Sequence, residues 1–92
     1  MHITVRKKRW NLVFKNLTKA DHWGFCEDPG KPGKKIVIDS SISGQKRIEI
    51  LVHELTHSAN WDFAEEAVQE TAKDIARILW KLGYRSPEDD KT

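Results

Sequence analysis

The stretch Lys35-Ile36-Val37-Ile38-Asp39, followed after a short polar turn by Gly44-Gln45-Lys46-Arg47-Ile48-Glu49-Ile50-Leu51-Val52-His53-Glu54-Leu55-Thr56-His57-Ser58-Ala59, decides the fold. The first run is β-branched and apolar, as a well-buried strand requires. In the second, Ile48, Leu51, Val52, Leu55 and Ala59 recur at helical spacing and form one stripe. Ser43 stands where a helix N-cap is expected, and the helix should end near Asn60. A strand therefore runs into an amphipathic helix, and that helix carries histidines at 53 and 57.

Downstream, Asp62 sits three residues before Glu65, the spacing of a cap with an acidic return partner. A second helix should follow, with Ala64, Val68, Ala72, Ile75, Ala76, Leu79 and Leu82 on its apolar side and Gly83 as its stop. From Ser86 the chain is charged and reads as a frayed end. Upstream, Arg9 to Lys15 alternates around Trp10, Leu12 and Phe14, the period of a half-buried strand. Asn16 to Asp21 is turn-like, His22 to Cys26 is a second short strand, and Asp28-Pro29-Gly30-Lys31-Pro32-Gly33 interrupts regular structure. The expected architecture is α+β, with a small antiparallel or mixed sheet of about three strands. The sheet packs on the helix bearing the histidines and on a long C-terminal helix, in a single domain over residues 1–92.

A chain of 92 residues buries only about 60–65% of its unfolded surface, so its core is thin and a metal or partner would help to hold it together. A hydrophobic fraction of 38% with 33% charged residues suits a globular domain, not a disordered one. A single cysteine, Cys26, excludes an intrachain disulfide and reads as a buried structural thiol. No apolar run approaches the ~18 residues of a membrane span, and the N-terminus has no apolar signal core. An intracellular location and no membrane partner are expected. The net charge is +2. The run Arg6-Lys7-Lys8-Arg9 invites a nucleic-acid reading, but a solvated strand edge accounts for it more simply, so no nucleic-acid partner is expected. The four tryptophans, Trp10, Trp23, Trp61 and Trp80, read as core and cleft wall.

The segment His53-Glu54-Leu55-Thr56-His57 carries the chemistry. Residues four apart on a helix are neighbours on one face, so His53 and His57 can grip one ion. Zinc accepts nitrogen ligands at about 2.0–2.1 Å. Glu54, one position on, can reach a water without ligating the metal, as a general base must. Two ordinary surface histidines would give the same letters. Here, however, both flank the apolar stripe, so at least one should be partly buried.

Zinc needs a third protein ligand and an open position. His2 and His22 are the only other histidines, and neither falls shortly after His57, where Asn60, Trp61, Asp62 and Phe63 stand instead. The remaining candidates are Asp62, Glu65, Glu66 and Glu70. At about 100° per residue, Glu65 lies toward the apolar arc of Ala72 and Ala76, whereas Glu66 projects with Lys73 and Arg77. Glu65 is favoured, although it could instead serve the Asp62 cap. Glu66 is the alternative third ligand.

The run from Ile50 to Arg85, with His53-Glu54-Leu55-Thr56-His57, Trp61-Asp62, Glu65-Glu66-Ala67-Val68 and Leu79-Trp80-Lys81-Leu82-Gly83-Tyr84-Arg85, resembles small HExxH proteins of bacteriophage and prophage genomes. These look like stripped-down gluzincin metallopeptidases, in which a glutamate on the following helix completes the site. The order strand, helix, helix is also similar to the catalytic core of SprT-like and ImmA-like proteins. It departs from the SprT-like pattern in lacking a further histidine after the motif. The resemblance covers roughly half of the chain if Ile36 to Ser43 is included.

The resemblance implies a zincin-like minimal core with one zinc ion per chain and a peptide or protein substrate. It also implies a location in the cytoplasm, that of the host cell if the chain is phage-encoded. Glu54 would take a proton from zinc-activated water and pass it to the leaving amine. Candidates for a second oxyanion donor are His22, Tyr84 and Arg85, and the strand Ile36 to Asp39 could pair with an extended substrate. The alternative is a small zinc-stabilised protein-binding module without catalysis.

Overall fold

The computed structural model describes residues 1–87. Its elements are β1 (His2–Val5), β2 (Lys8–Lys15), β3 (Gly24–Cys26), β4 (Lys35–Asp39), α1 (Gly44–Ala59) and α2 (Glu65–Lys81). The architecture is α+β, with a mixed sheet of four strands in the order β1-β2-β4-β3. β1 and β2 form an antiparallel hairpin, β2 and β4 run parallel, and β3 pairs antiparallel with β4.

The strand not anticipated is β1. Its sequence, His-Ile-Thr-Val, alternates exposed and half-buried residues as an edge strand should. What hid it is the turn. Val5 pairs with Lys8, leaving Arg6 and Lys7 as a two-residue loop, both at positive φ (47° and 68°). That is the backbone of a type I′ hairpin turn, normally announced by Asn-Gly or Asp-Gly. Here two cations fill it, and each sits in a region that costs a non-glycine residue about 1–2 kcal/mol. The Arg6 guanidinium returns something, because it donates to the Ala59 carbonyl at 2.9 Å, at the C-terminal end of α1.

The basic run is therefore not an edge-strand feature. The hairpin divides it into two turn residues and two strand residues that point to opposite faces.

β4 occupies its expected range and is the most buried element, with Ile36 and Ile38 fully buried. These two pack with Trp10 and Leu12 of β2 and with Ile50, Leu51 and Leu55 of α1. Register explains the cluster: Leu12 lies beside Ile36 and Phe14 beside Ile38 in the parallel pair, so one parity of both strands faces α1. Asp39 ends the strand as a buried acceptor. Its Oδ1 takes the N–H of Leu17, the N–H of Ser41 and the Ser41 hydroxyl, which hold its carboxyl below the usual carboxylate range.

Both helices depart from expectation at their starts. Ser43 occupies the N-cap position of α1 but its side chain makes no cap hydrogen bond. α2 is capped at Ala64, not Asp62, again without a side-chain cap bond. The expected Asp62–Glu65 capping pair does not form, which leaves the Glu65 carboxylate free for other partners. The buried stripe of α2 is also narrower than its apolar residues suggested. Val68, Ala72 and Ala76 are buried, whereas Ile75, Leu82 and Ala64 are exposed. Small residues at four-residue spacing let α2 lie close against α1. A Cβ on Gly44, at the start of α1, would stand 3.6 Å from the Trp80 ring at the end of α2, so the two helices run antiparallel.

The hairpin turn yields a stability prediction. Lys7→Gly should relieve the left-handed penalty while adding back part of it as unfolded-chain entropy, a net gain of about 0.5–1 kcal/mol. Thermal unfolding should then shift upward by roughly 2–8 °C. An unchanged or lowered melting temperature would contradict this reading of the turn.

Candidate metal centre

α1 positions His53 and His57 one turn apart, with ring centroids 4.9 Å from each other. Both side chains are mostly covered, at 16% and 13% exposure. The loop after Asn60 turns the chain back, with Phe63 N–H donating to the Asn60 carbonyl, and delivers the first residue of α2 beside them. Glu65 Oε1 lies 2.8 Å from His53 Nε2, and Glu65 Oε2 lies 2.8 Å from His57 Nε2. Its place in the first turn of α2 also suits a negative charge near the positive end of the helix dipole.

These three side chains form a group that could hold a metal ion, with ligand atoms within 4.8 Å of one another. They are also the only such group among the described residues. Glu66, Asp62 and Glu70 do not belong to it. The fit can be judged from the donor set. Two imidazole nitrogens and a carboxylate oxygen suit a borderline divalent cation. Ligand atoms at about 2.0–2.1 Å from a tetrahedral ion stand ~3.3 Å apart. The observed 2.8 Å spacings are shorter, so admitting an ion requires the carboxylate to withdraw by about half an ångström. The Glu65 side chain, 67% exposed, has room to do so.

Glu54 lies on the other side of the pair, under the sheet edge. It is 8% exposed, the most enclosed carboxylate after Asp39. Burial, reinforced by the Glu65 charge, raises its pKa to about 7. The reason it sits so close beneath β3 is Gly24. A Cβ there would meet the Val37 carbonyl at 2.9 Å, Ile50 Cγ2 at 3.1 Å and Glu54 Cγ at 3.4 Å. Only a residue without a side chain lets the strand close over the helix at this point. Nothing in the spacing of the motif indicated that contact, although a glycine within a short strand is a recognised sign of close backbone approach.

Two hollows, of about 510 and 500 Å³, flank the centre and share Gly24, His53, Glu54 and Glu65. The first is walled by Phe25, Cys26, Trp61 and Phe63, the second by His22, Trp23 and Ile50. Together they make one cleft across the edge strand β3. Trp23 and Trp61 are thus cleft wall, and Trp10 is core.

Cys26 borders the cleft half-buried. Its thiol is pushed up to about 12 by burial and by the Glu54 and Glu27 charges, so it stays protonated. Of the suggested oxyanion donors, His22 lines the cleft. Arg85 is committed elsewhere, donating to the Trp80 and Tyr84 carbonyls and stacking 3.4 Å over the Trp80 ring. Tyr84, exposed at the same helix end, lines neither hollow.

Titration with a divalent transition metal should load one ion per chain. Glu65→Ala should weaken binding by at least about 10–100-fold, the scale of losing an interaction at a metal site. Glu66→Ala should leave it within a factor of about two or three. Equal losses from the two variants would remove Glu65 from the ligand set. Comparison with protein-family models, with curated proteins and with solved structures finds no match to this chain.

Proposed function

We propose that this chain is a zinc-dependent metallopeptidase in which His53, His57 and Glu65 hold the ion and Glu54 is the general base. One observation carries the reading: the ligand group and a buried carboxylate converge in a single cleft that runs under an open strand edge. Bound there, zinc would bring the pKa of a coordinated water toward ~7 and polarise a carbonyl.

The chain's own residues supply the rest. Glu54 follows His53 directly and shares both hollows with it, close enough to exchange a proton at the centre without joining the ligand group. A carboxyl with a pKa near neutrality can both accept a proton and return it to a leaving amine. A cation beside it would favour the ionised form, which is the form a base requires.

Substrate binding falls to β3, not to β4. The run Ile36 to Asp39 is an interior strand between β2 and β3, so it has no free edge. Asp39 N–H donates to the Trp23 carbonyl, and Glu27 N–H donates to the Lys35 carbonyl. By the alternation of an antiparallel ladder, Gly24 and Cys26 then turn their N–H and C=O groups away from β4, toward the cleft. An extended peptide could add there as a further strand, its scissile carbonyl above Glu54.

A second reading is favoured by the same centre: zinc as a staple between α1 and α2 in a protein-binding module. Only Val68, Ala72 and Ala76 of α2 are buried, and Glu65 joins the first turn of one helix to the last turns of the other. Glu54→Gln separates the two. The substitution is nearly isosteric and removes only the base. Zinc content should stay at the wild-type level and the melting temperature should not fall, while cleavage of an unfolded protein substrate should fall by about 10²–10⁴-fold. A zinc-loaded wild type that cleaves none of a broad peptide library would favour the staple.

A further inference from the structure

The fold separates charge in a way that a net value of +2 conceals. Residues 1–43, which build the sheet, hold nine Lys and Arg against four Asp and Glu, while residues 44–92 hold seven against ten. Within the sheet the cations are further sorted by face. Trp10, Leu12, Ile36 and Ile38 face α1. The opposite parity, His2, Arg9, Asn11, Val13 and Lys15 with Lys35, lies on the face turned away from the helices, where Val37 and Asp39 of β4 are themselves buried. His2 pairs with Asn11, and Asn11 with Lys35, so these residues stand side by side across three strands. With Arg9 and Lys34 they surround a hollow of about 400 Å³.

Arg9, Lys15 and Lys35 are exposed, and no ion pair engages them or Lys34 among the described residues. The two carboxylates near this face are occupied. Asp39 is buried under three hydrogen bonds, and Glu27 accepts the Lys35 N–H while pairing with Lys31. On the edge strand β3, Phe25 shares the parity of Val37, stands 39% exposed where it also borders the first hollow, and has the His22 ring edge-on to it at 5.5 Å.

We propose that this cationic sheet face binds single-stranded nucleic acid, with Arg9, Lys15, Lys34 and Lys35 on the phosphates and Phe25, at its edge, stacking an unpaired base. The six-residue separation of Arg9 and Lys15 along β2 makes a track of about 20 Å, long enough for several extended nucleotides. A cationic groove with an aromatic platform is the usual way to hold a single strand without reading its sequence. A duplex fits this face less well, because a major groove admits a helix or a two-stranded ribbon, whereas the face spans three strands. An anionic bilayer fits less well because the face lacks a cluster of large apolar side chains to insert. The basic run Arg6 to Arg9 is not the surface in question, since only Arg9 of that run faces it.

The test is fluorescence polarisation with a labelled oligothymidylate of about 20 nucleotides, a length that exceeds a small module's site. At about 50 mM salt the wild type should bind, and the affinity should fall roughly fifty-fold by about 200 mM, a log–log slope near −3 for four phosphate contacts. Arg9→Gln with Lys35→Gln, both at exposed positions, should weaken binding at least about tenfold and reduce the slope by roughly 1.4. Lys73→Gln with Arg77→Gln removes the same charge from α2 and should change binding less than about twofold, which separates this face from net charge.

Circular dichroism must show both double variants folded. If either is not, Lys15→Gln alone should reduce the slope by about 0.7. No binding by the wild type, equal loss in the α2 variant, or equal affinity for a duplex of the same length would overturn the proposal. So would binding to phosphatidylserine vesicles but not to the oligonucleotide, or self-association that the Arg9/Lys35 variant abolishes.

Discussion

The arrangement depends on a single carboxylate reaching two imidazoles from a different helix. Glu65 can do so because α2 begins directly after a tight reversal and lies close along α1, and the closeness comes from Val68, Ala72 and Ala76 on the facing side. Larger residues there would push the helices apart and separate the carboxylate from the rings. The acidic first turn of α2 adds a favourable dipole. Metal affinity, if the site holds an ion, is therefore also affinity between the two helices, and loading should be coupled to folding. For a chain with so few fully buried side chains, that coupling matters more than it would in a larger domain.

A second constraint acts from the sheet. Gly24 brings the edge strand down onto Glu54, which takes most of that side chain out of water. An enclosed carboxyl is costly to the fold and useful to proton transfer, because the same desolvation that raises its pKa makes it a better base once ionised. The strand that imposes the cost also offers its free backbone edge to the cleft. In the proposed peptidase, substrate registration and base activation would both follow from this one glycine contact.

Much of this was legible in the letters. The β-branched run Lys35–Asp39 and the helical stripe around Leu51 and Leu55 specify their elements because burial and period agree. Helix angle favours Glu65 over Glu66, and the structure sets the Glu65 carboxylate beside the histidines. The misses have physical causes. β1 went unseen because Arg6-Lys7 adopts a turn that those residues do not advertise. Asp62 reads as a cap by spacing, yet the helix starts two residues later, at a position with no side-chain cap, and the carboxylate of Glu65 meets the histidines instead. Ile36–Asp39 reads equally well as edge or interior strand, since only the pairing of β3 beyond it decides. The sorting of cations to one face is likewise a property of register, which no single strand contains.

The proposed centre has His53, His57 and Glu65 on one zinc ion, with Glu54 outside its shell. A crystal structure of the zinc-loaded chain with anomalous data at the zinc edge tests this arrangement. One strong peak per chain is expected, with both histidine Nε2 atoms and a Glu65 oxygen at about 2.0–2.2 Å and a remaining position open to solvent. A zinc-soaked chain with no peak between those side chains, or with Glu54 in place of Glu65 on the ion, would contradict it.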